Sequence, residues 1–380
     1  MRLGVYTDYA YHRRDGIVYA DRTFARFVDR LADRFDRVVV VGRLEDARSG
    51  AAHEIDPRIS FVPLPYYESL AHPQHALGAM LRSLRTWWRT LPEVDVVWLL
   101  GPHPLAIAFA VLAAMRGRRV ALGVRQDLPR YVRARRPGRW WLYAAAVALE
   151  GSWRLLARRF SVAVVGPDLA RNYRRARSPL EFAVSLVEEH DIVSAEWASN
   201  RNYDGELRLL AVGRLDPEKD PLLIAEILAR LRAVDPRWRL DVCGSGSLEN
   251  ALAARLAELE VAPYASLHGY VPLEGGLVQF YRGSHALIHV SLTEGFPQVL
   301  LEAFAAGLPV VATDVGGIAE AAAGAVVVTP SGDAATSARQ LQSVATDGEL
   351  RARLIRAGLD FVSHRTLDHE ATRIADWLRR

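Results

Sequence analysis

Two residue types are nearly absent from this chain, and each scarcity narrows the choice of function. Cysteine occurs once, as Cys243, so neither an internal disulfide nor a zinc site of several thiolates can form, and the chain suits a reducing compartment. Lysine also occurs once, as Lys219, and the other 47 of the 48 basic residues are arginines. A position that keeps lysine in such a background is a candidate for a task that needs a compact ammonium group.

Long apolar segments are also scarce. Residues 96–115 carry no charged side chain and reach the length of a membrane span, but Gly101, Pro102 and Pro104 interrupt them. The segment therefore predicts a buried strand, a turn and a helix. Residues 2–8 lack the apolar core and cleavage site of a signal peptide. We expect a cytoplasmic protein whose 380 residues, half of them apolar, have room for two domains.

Acidic residues are scarce in one region. The net charge is only +4, but residues 116–177 hold 16 arginines against three acids, a local charge of +13. The region also contains Trp140, Trp141 and Trp153. Such a block is a candidate surface for phosphate, anionic lipid or nucleic acid, and a solvated helix face with aromatic anchors in the core is the alternative. We expect no nucleic acid partner, and we hold open a peripheral contact of residues 130–160 with the inner face of a membrane.

Short runs of Val, Ile and Leu alternate with longer helical patterns along the chain. The predicted strands are Leu3–Tyr6, Val38–Val41, Ile59–Val62, Val94–Leu100, Arg119–Val124 and Ser161–Val165 in the first half, and Arg208–Val212, Arg239–Cys243, Ser266–Gly269, Ala286–Val290, Pro309–Ala312 and Ala325–Val328 in the second. This alternation predicts parallel sheets covered by helices. The polar stretch 194–205 separates the two sets. We therefore expect an α/β protein with two Rossmann-like, doubly wound domains, 1–195 and 205–364, and an amphipathic helix over 365–380.

Two loops at predicted strand ends carry residues suited to a diphosphate. Gly213 frees the backbone to turn after a strand, and Arg214 and Lys219 place two cations five residues apart on one short loop. Gly244 and Gly246 open the next loop and supply the first two glycines of a dinucleotide fingerprint, whose third glycine is missing. Each loop by itself has an ordinary alternative, a surface turn that binds nothing.

The segment after the fourth strand of the second half is the most informative. Pro297 favours the start of a helix, whose free N–H groups and positive dipole end would suit a phosphate. Glu294 lies in the loop before this helix. Glu302 lies within the helix among apolar neighbours, where a carboxylate is costly unless it meets a partner such as a ligand hydroxyl. A solvent-facing position is the alternative for Glu302.

Together these residues resemble the retaining glycosyltransferases of family 4, the group 1 glycosyl transferases. The likeness rests on Gly213-Arg214-Leu215 with Lys219, Gly244-Ser245-Gly246, His268-Gly269-Tyr270-Val271, Glu294-x7-Glu302, the segment 306–312 and Gly316-Gly317, in this order between residues 209 and 320. The resemblance implies the GT-B fold, in which two Rossmann-like domains face each other across a cleft and a closing helix packs back on the N-terminal domain. It also implies retaining transfer from a UDP-, GDP- or dTDP-linked sugar, with no further cofactor.

The resemblance assigns roles to individual residues. Arg214 and Lys219 would hold the donor diphosphate, and Glu294 would hold the sugar hydroxyls. The remaining members would contact the donor: Glu302 at the ribose, Gly295 and Phe296 through their amides at the sugar or phosphate, Val271 through its backbone at the base, and Gly213, Gly244, Gly246, Pro297, Gln298 and Val299 along the loops.

The first half resembles the family more loosely. Residues 120–127 resemble a strand that often ends in a histidine over the donor sugar, and this chain has Arg125 at that place with Asp127 two residues later. We include both in the predicted catalytic set, Arg125 as a ligand for an acidic acceptor or for the leaving phosphate. Gly16 is the candidate of the first loop for approaching the diphosphate. The acceptor is expected to be chosen by His103 and by the loops 8–16, 66–74 and 125–139.

The chain has no Asp-x-Asp pair, so the metal–diphosphate clamp of the other large glycosyltransferase fold is missing. We expect a metal-independent reaction in which a donor phosphate oxygen takes the acceptor proton on the same face of the sugar. The partners would be a nucleotide sugar and a small-molecule, glycan or lipid-linked acceptor; no pattern indicates an oligomeric state. Two alternatives stay open, a sugar-phosphate synthase with a phosphorylated acceptor and a non-catalytic membrane- or nucleic-acid-binding protein on the same fold.

Overall fold

The computed structural model describes residues 1–20, 24–46, 53–67 and 73–380 and contains two α/β domains. The first domain contains strands β1 (Arg2–Arg14), β2 (Ile17–Ala20), β3 (Arg37–Asp46), β4 (His53–Glu54), β5 (Ser60–Pro65), β6 (Val96–Gly101), β7 (Arg119–Val124), β8 (Ser161–Val165) and β9 (Pro179–Phe182), and helices α1 (Phe24–Leu31), α2 (Pro73–Thr90), α3 (Pro104–Met115), α4 (Leu128–Arg135), α5 (Trp140–Ala157) and α6 (Pro167–Asn172).

Helix α7 (Ala195–Ser199) leads into the second domain. That domain contains strands β10 (Leu207–Val212), β11 (Trp238–Cys243), β12 (Ala265–Leu267), β13 (Ala286–His289), β14 (Val310–Thr313) and β15 (Val326–Thr329), and helices α8 (Leu222–Val234), α9 (Glu249–Glu258), α10 (Val278–Gly283), α11 (Gln298–Ala305), α12 (Ile318–Ala321), α13 (Ala334–Thr346) and α14 (Gly348–Ser363). The last helix is α15 (Leu367–Arg379).

Seven strands of the first sheet run parallel in the order β5-β3-β1-β6-β7-β8-β9. Strand β1 is longer than its apolar pattern predicts, because after a register shift between Tyr6 and Ala10 it continues to Arg14 and forms an antiparallel hairpin with β2. The chain order reverses between β1 and β6. At such a reversal the loops after the two strands diverge and leave a crevice at the carboxyl edge of the sheet.

The second sheet is fully parallel, in the order β12-β11-β10-β13-β14-β15. All six strands were predicted from their apolar runs, and their bounds differ from the predictions by one or two residues. Here the chain order reverses between β10 and β13. The loops 213–219 and 290–297 therefore border the second crevice.

The chain passes between the two domains twice, at residues 194–205 and again after α14. The stretch 194–205, predicted as an irregular linker, contains α7, which is capped by Ser194 Oγ accepting from the Trp197 N–H. Helix α15 lies against α1 and β9, where Arg373 donates to the Glu181 carbonyl at 2.9 Å. The segment 96–115 forms β6 and α3 as predicted, and among the described residues we find no helix with the length and apolar content of a membrane span.

Candidate functional site

A cavity of about 890 Å³ lies between the carboxyl edges of the two sheets. Nine of the predicted site residues line it: Arg125, Gly213, Arg214, Lys219, Glu294, Phe296, Pro297, Gln298 and Val299. Side chains that the sequence did not assign to the donor site also line it, among them Asp8, Tyr9, Arg43, His103 and His289. The cavity therefore joins the two crevices that the strand orders create.

The sole lysine lies at the centre of the second crevice. The Lys219 ammonium donates to Glu294 Oε1, and His289 Nε2 lies 3.3 Å from the same oxygen. Burial alone would raise the pKa of Glu294, but the charge of Lys219 and the contacts with Lys219 and His289 outweigh it and hold that pKa well below its ordinary value. The carboxylate is therefore ionised at neutral pH and presents an acceptor for hydroxyl groups. His289 was missed, although a polar residue ending an apolar strand beside a crevice is a usable signal.

Arg214 is held by two carboxylates of its own loop. Its guanidinium donates to Asp216 Oδ2 at 2.6 Å and to Glu218 Oε1 at 2.7 Å. Arg135, on α4 of the first domain, reaches the same pair at 3.4 Å and 3.1 Å. Burial opposes ionisation of Asp216, but hydrogen bonds from Ser247 and both arginines lower its pKa below the ordinary value. This ion-pair network ties α4 of the first domain to the 213–219 loop of the second.

Helix α11 begins one residue later than predicted. Pro297 has φ −69° and ψ 123° and is the cap residue, and the first helical residue is Gln298. Pro297, Gln298 and Val299 all line the cavity. The amino end of α11, with its N–H groups and positive dipole end, therefore borders the space where an anion would lie.

Gly295 does not line the cavity, because its backbone packs directly against the backbone of the first domain. A Cβ on Gly295 would lie 2.2 Å from the Arg125 carbonyl oxygen and 3.0 Å from that of Val165. Gly166 and Gly316 also approach the Gly295 carbonyl oxygen closely, at 2.7 Å and 2.1 Å for an added Cβ. Glycine is needed here so that the backbones of the two domains can touch. This packing is the visible reason for glycine at position 295.

Gly244 and Gly246 also lie outside the cavity lining. A Cβ on Gly244 would stand 1.8 Å from the Gly213 carbonyl oxygen, and one on Gly246 would stand 2.4 Å from that of Leu215. These glycines let their loop pack directly on the 213–219 loop. Gly213 itself has φ 152° and open space at its Cβ position, so it leaves room on the cavity side. Gly244 and Gly246 therefore support the neighbouring loop, and their predicted contacts with the donor stay predictions.

Glu302 and Val271 have protein partners outside the cavity. The Tyr281 hydroxyl donates to Glu302 Oε2 at 2.7 Å, and burial raises the pKa of Glu302 to about 7 against the opposing effects of Tyr281 and Arg26. Val271 packs against the apolar core. The predicted contacts of Glu302 with a ribose and of Val271 with a base stay predictions.

Two residues of the first domain are placed differently from their predictions. Asp127 is the N-cap of α4, and its side chain accepts from the Arg130 N–H at 2.9 Å. Gly16 lies in the exposed turn of the β1–β2 hairpin with φ 83°, because β1 continues through the stretch predicted as a loop. Neither residue lines the cavity. Asp127 thus caps a helix and Gly16 occupies a turn, and the predicted roles of both residues stay predictions. Of the predicted loop 66–74, residues 68–72 lie outside the described residues.

Arg125 lies in the cavity wall as predicted. Its guanidinium carbon stands 4.9 Å from the centre of the Tyr9 ring and 4.8 Å from that of Phe24, which holds the charge by cation–π contact. Within the described part of the chain no carboxylate forms an ion pair with Arg125. The guanidinium is therefore a cation that can still accept an anionic partner.

His103 and Asp8 form a polar pair on the wall contributed by the first domain. The Leu105 N–H donates to His103 Nδ1 at 3.2 Å, and the Tyr6 hydroxyl lies 3.2 Å from the same nitrogen. Nδ1 is therefore the acceptor, and the ring proton resides on Nε2, which lies 3.3 Å from Asp8 Oδ1. Burial lowers the pKa of His103 although Asp8 opposes this. The ring is thus neutral near pH 7 and can donate to a carboxylate or to a ligand oxygen.

Comparison with known proteins assigns the second half of the chain to a family. Residues 194–361 match the family described as Glycosyl transferases group 1. This region belongs to that family. The match confirms the resemblance indicated by the motifs between residues 209 and 320, and the region includes Arg214, Lys219 and Glu294 of the cavity.

Individual relatives agree with this assignment. The D-inositol 3-phosphate glycosyltransferase of Frankia alni is 36% identical over 253 residues, which cover 60% of this chain and 58% of the relative. The chain spans only 40% and 58% of the length of the first two curated relatives that it matches. Sucrose-phosphate synthase from Thermosynechococcus elongatus has a TM-score of 0.76 at 16% identity, over 100% of this chain and 98% of that one. Anabaena HepE, solved with UDP-glucose, has a TM-score of 0.72 at 16% identity, over 100% and 99%. These structures confirm the GT-B fold.

Proposed function

We propose that the protein is a glycosyltransferase that moves a sugar from a nucleoside diphosphate sugar to an acceptor hydroxyl. The observation that carries the proposal is the pairing of Lys219 with Glu294 on the cavity wall at the β10/β13 crevice. A donor of this class presents a diphosphate beside sugar hydroxyls, so it needs a cation next to an ionised acceptor of hydrogen bonds. The family of residues 194–361 supports the proposal. HepE, with its UDP-glucose complex, supports it by fold-level analogy.

The geometry suits each group to one part of the donor. The Lys219 ammonium has three protons, so it can keep one on Glu294 and direct others to the diphosphate. The amino end of α11 offers N–H groups on the opposite side of the same crevice. Glu294, freed from part of its contact with Lys219, accepts from the sugar hydroxyls and fixes the ring orientation.

In the reaction that we propose, the bond from the anomeric carbon to the phosphate oxygen breaks and a bond to the acceptor oxygen forms on the same face. The acceptor proton passes to a phosphate oxygen of the departing nucleoside diphosphate. Lys219 and Arg214 stabilise the negative charge that develops there. Retention and independence of metal are parts of the proposal, and they are tested by the anomeric configuration of the product and by assay with a chelator.

The first experiment is thermal unfolding of the wild type with UDP, GDP, dTDP and their common sugar conjugates. A ligand at 100 times its Kd should raise the free energy of unfolding by about 2.7 kcal/mol. Glu294→Gln should still bind the free nucleoside diphosphate but lose transfer, because an amide is a weaker acceptor for the sugar hydroxyls. Stabilisation by none of these nucleotides, or full transfer by Glu294→Gln, contradicts the proposal.

A phosphorylated acceptor is a second candidate, favoured by the guanidinium of Arg125 in the cavity wall, which forms no ion pair with a described residue. The name of the Frankia relative contains an inositol phosphate, an acceptor of that chemistry. Arg125→Gln should raise KM for a phosphorylated acceptor while leaving hydrolysis of the donor unchanged. An equal effect of Arg125→Gln on phosphorylated and neutral acceptors contradicts this assignment.

The proposed donor and the single cysteine also bear on the cellular compartment of the protein. Nucleotide sugars are substrates of the cytoplasm, and the single thiol fits it too, since burial raises the pKa of Cys243 to about 12 and leaves it unreactive. We therefore propose a cytoplasmic enzyme.

A further inference from the structure

Three helices of the first domain form an exposed layer with an unusual surface. Helices α2, α3 and α5 pack side by side and cover one face of the first sheet through a shared apolar cluster. We call them the outer layer. Of the fifteen large apolar side chains that are exposed among the described residues, eight belong to the outer layer: Leu77, Leu81, Val111, Met115, Trp140, Trp141, Val147 and Leu155. Apolar side chains gathered on one exposed face indicate an interaction surface.

The outer layer presents no exposed carboxylate. Within residues 73–90, 104–115 and 140–157 the only acidic residue is Glu150, which is buried and accepts from the Tyr173 hydroxyl at 2.7 Å. Its cations are outside: Arg82, Arg85 and Arg89 are exposed on α2. The surface therefore combines apolar side chains with α2 arginines that form no ion pair with a described residue.

Helix α5 shows the pattern most clearly. It is mostly apolar, with Glu150 and Arg154 as its charged residues, yet Trp140 is 77% and Leu155 64% exposed. Exposed arginines lie at both of its ends, Arg136 and Arg139 before it and Arg158 after it, and none of them forms an ion pair with a described residue. At 1.5 Å per residue its 18 residues span about 27 Å between these cations.

We propose that the outer layer docks on the surface of an anionic lipid bilayer. Indole rings and aliphatic side chains enter the boundary between headgroups and acyl chains, and arginines at the rim pair with lipid phosphates. A second copy of the chain fits this surface poorly, since pairing two α5 helices in either direction brings arginine ends together. Duplex nucleic acid fits poorly too, since its phosphates would face the uncharged middle of α5. The surface extends the basic block noted in the sequence to the arginines of α2, and α3 adds apolar side chains only.

The proposal does not depend on the proposed glycosyl transfer, because the outer layer lies on a helical face of the sheet and its test needs no turnover. The test is flotation of the full chain with phosphatidylcholine vesicles with or without about 30% phosphatidylglycerol. We expect binding to the anionic vesicles only, and a steep fall as salt is raised. Vesicles carrying brominated acyl chains should quench tryptophan fluorescence on binding.

Two pairs of variants identify the surface. Arg136→Glu with Arg139→Glu should lower the partition coefficient at least about tenfold, and Trp140→Ser with Trp141→Ser should lower it and remove most of the bromine quenching.

The matched controls lie outside the outer layer. Arg353→Glu with Arg356→Glu, on exposed positions of α14, and Trp197→Ser, on α7 and 45% exposed, should bind vesicles like the wild type. All variants change exposed side chains, and unchanged melting temperatures verify their folding. Failure to bind anionic vesicles, equal binding by the outer-layer variants, or a dimer lost on Trp140→Ser with Trp141→Ser would overturn the proposal.

Discussion

Replacing Lys219 by alanine tests the ion pair on which the proposed site depends. The change leaves the Glu294 carboxylate, whose side chain is 13% exposed, with His289 as its remaining partner at 3.3 Å. Breaking a buried pair costs roughly 3–5 kcal/mol. Because His289 stays, we expect the free energy of unfolding near pH 7.5 to fall by about 2–4 kcal/mol.

The pH dependence of this loss follows from the pKa of Glu294. In the wild type burial favours a higher pKa, but Lys219 and His289 hold it well below 4.5. The ionised carboxylate therefore contributes stability above about pH 4.5, and this contribution is lost as the pH falls further. Without Lys219 the pKa of Glu294 should rise from its wild-type value, so protonation relieves the buried charge at a higher pH than in the wild type. The difference between wild type and Lys219→Ala should thus be smaller near pH 5 than near pH 7.5.

A double variant separates this stability effect from donor binding. Lys219→Ala with Glu294→Gln removes the unpaired charge and should recover most of the lost stability, but it should not recover nucleotide binding, which loses a charge-assisted contact worth about 1.5–3 kcal/mol. Urea unfolding at both pH values and nucleotide titration measure the two effects, with Arg230→Ala, an exposed change on α8, as the control. A stability difference that is the same at both pH values, or a double variant no more stable than Lys219→Ala, refutes the reasoning.

Three further predictions follow from individual contacts. Arg135→Ala should weaken nucleoside diphosphate binding about tenfold, because buried Glu218 then draws on Arg214 alone, whereas the exposed neighbour change Arg136→Ala should have no effect in the same titration. Asp127→Ala should lower stability by about 1 kcal/mol through loss of the α4 cap while kcat stays at the wild-type value, and a large loss of kcat would restore Asp127 to the catalytic set. Since burial raises the pKa of Glu302 to about 7, its favourable protonated form is lost as the pH rises through that value, so Glu302→Gln should gain stability over the wild type between pH 5 and pH 8 in thermal unfolding.

Most of the sheet framework was predictable, because buried parallel strands are apolar runs that turns and helices separate. Strands β2, β4 and β9 were not, since they are elements of two to four residues whose short runs carry no pattern. The continuation of β1 to Arg14 was missed for a related reason. It depends on pairing with β2 and β3 rather than on alternating burial. Gly16 therefore lies in the turn of a hairpin and not in the loop that was predicted.

The site was predictable where the residues of one loop act at the edge of a parallel sheet. Arg214, Lys219 and Glu294 meet because β10 and β13 are neighbours. Arg135 was not predictable as their companion, because it lies 83 residues from Glu218 along the chain and only the docking of the two domains joins them. Glycine patterns were ambiguous in another way. At Gly213 the missing side chain leaves open space on the cavity side, whereas at Gly244 it lets the backbone of the neighbouring loop approach. The sequence does not distinguish these two uses of glycine.

The charges of the molecule divide between the two surfaces in a way that the net value hides. In the β10/β13 crevice every cation has a carboxylate, Lys219 with Glu294, and Arg214 and Arg135 with the two acids of the 213–219 loop. Attraction for a diphosphate there comes from directed N–H donors rather than from excess charge, so nucleotide binding should vary little with salt. Arg82, Arg85 and Arg89 of the outer layer form no ion pair with a described residue, so its binding to lipid should fall steeply as salt screens them. The salt dependence of the two processes therefore distinguishes the site from the surface.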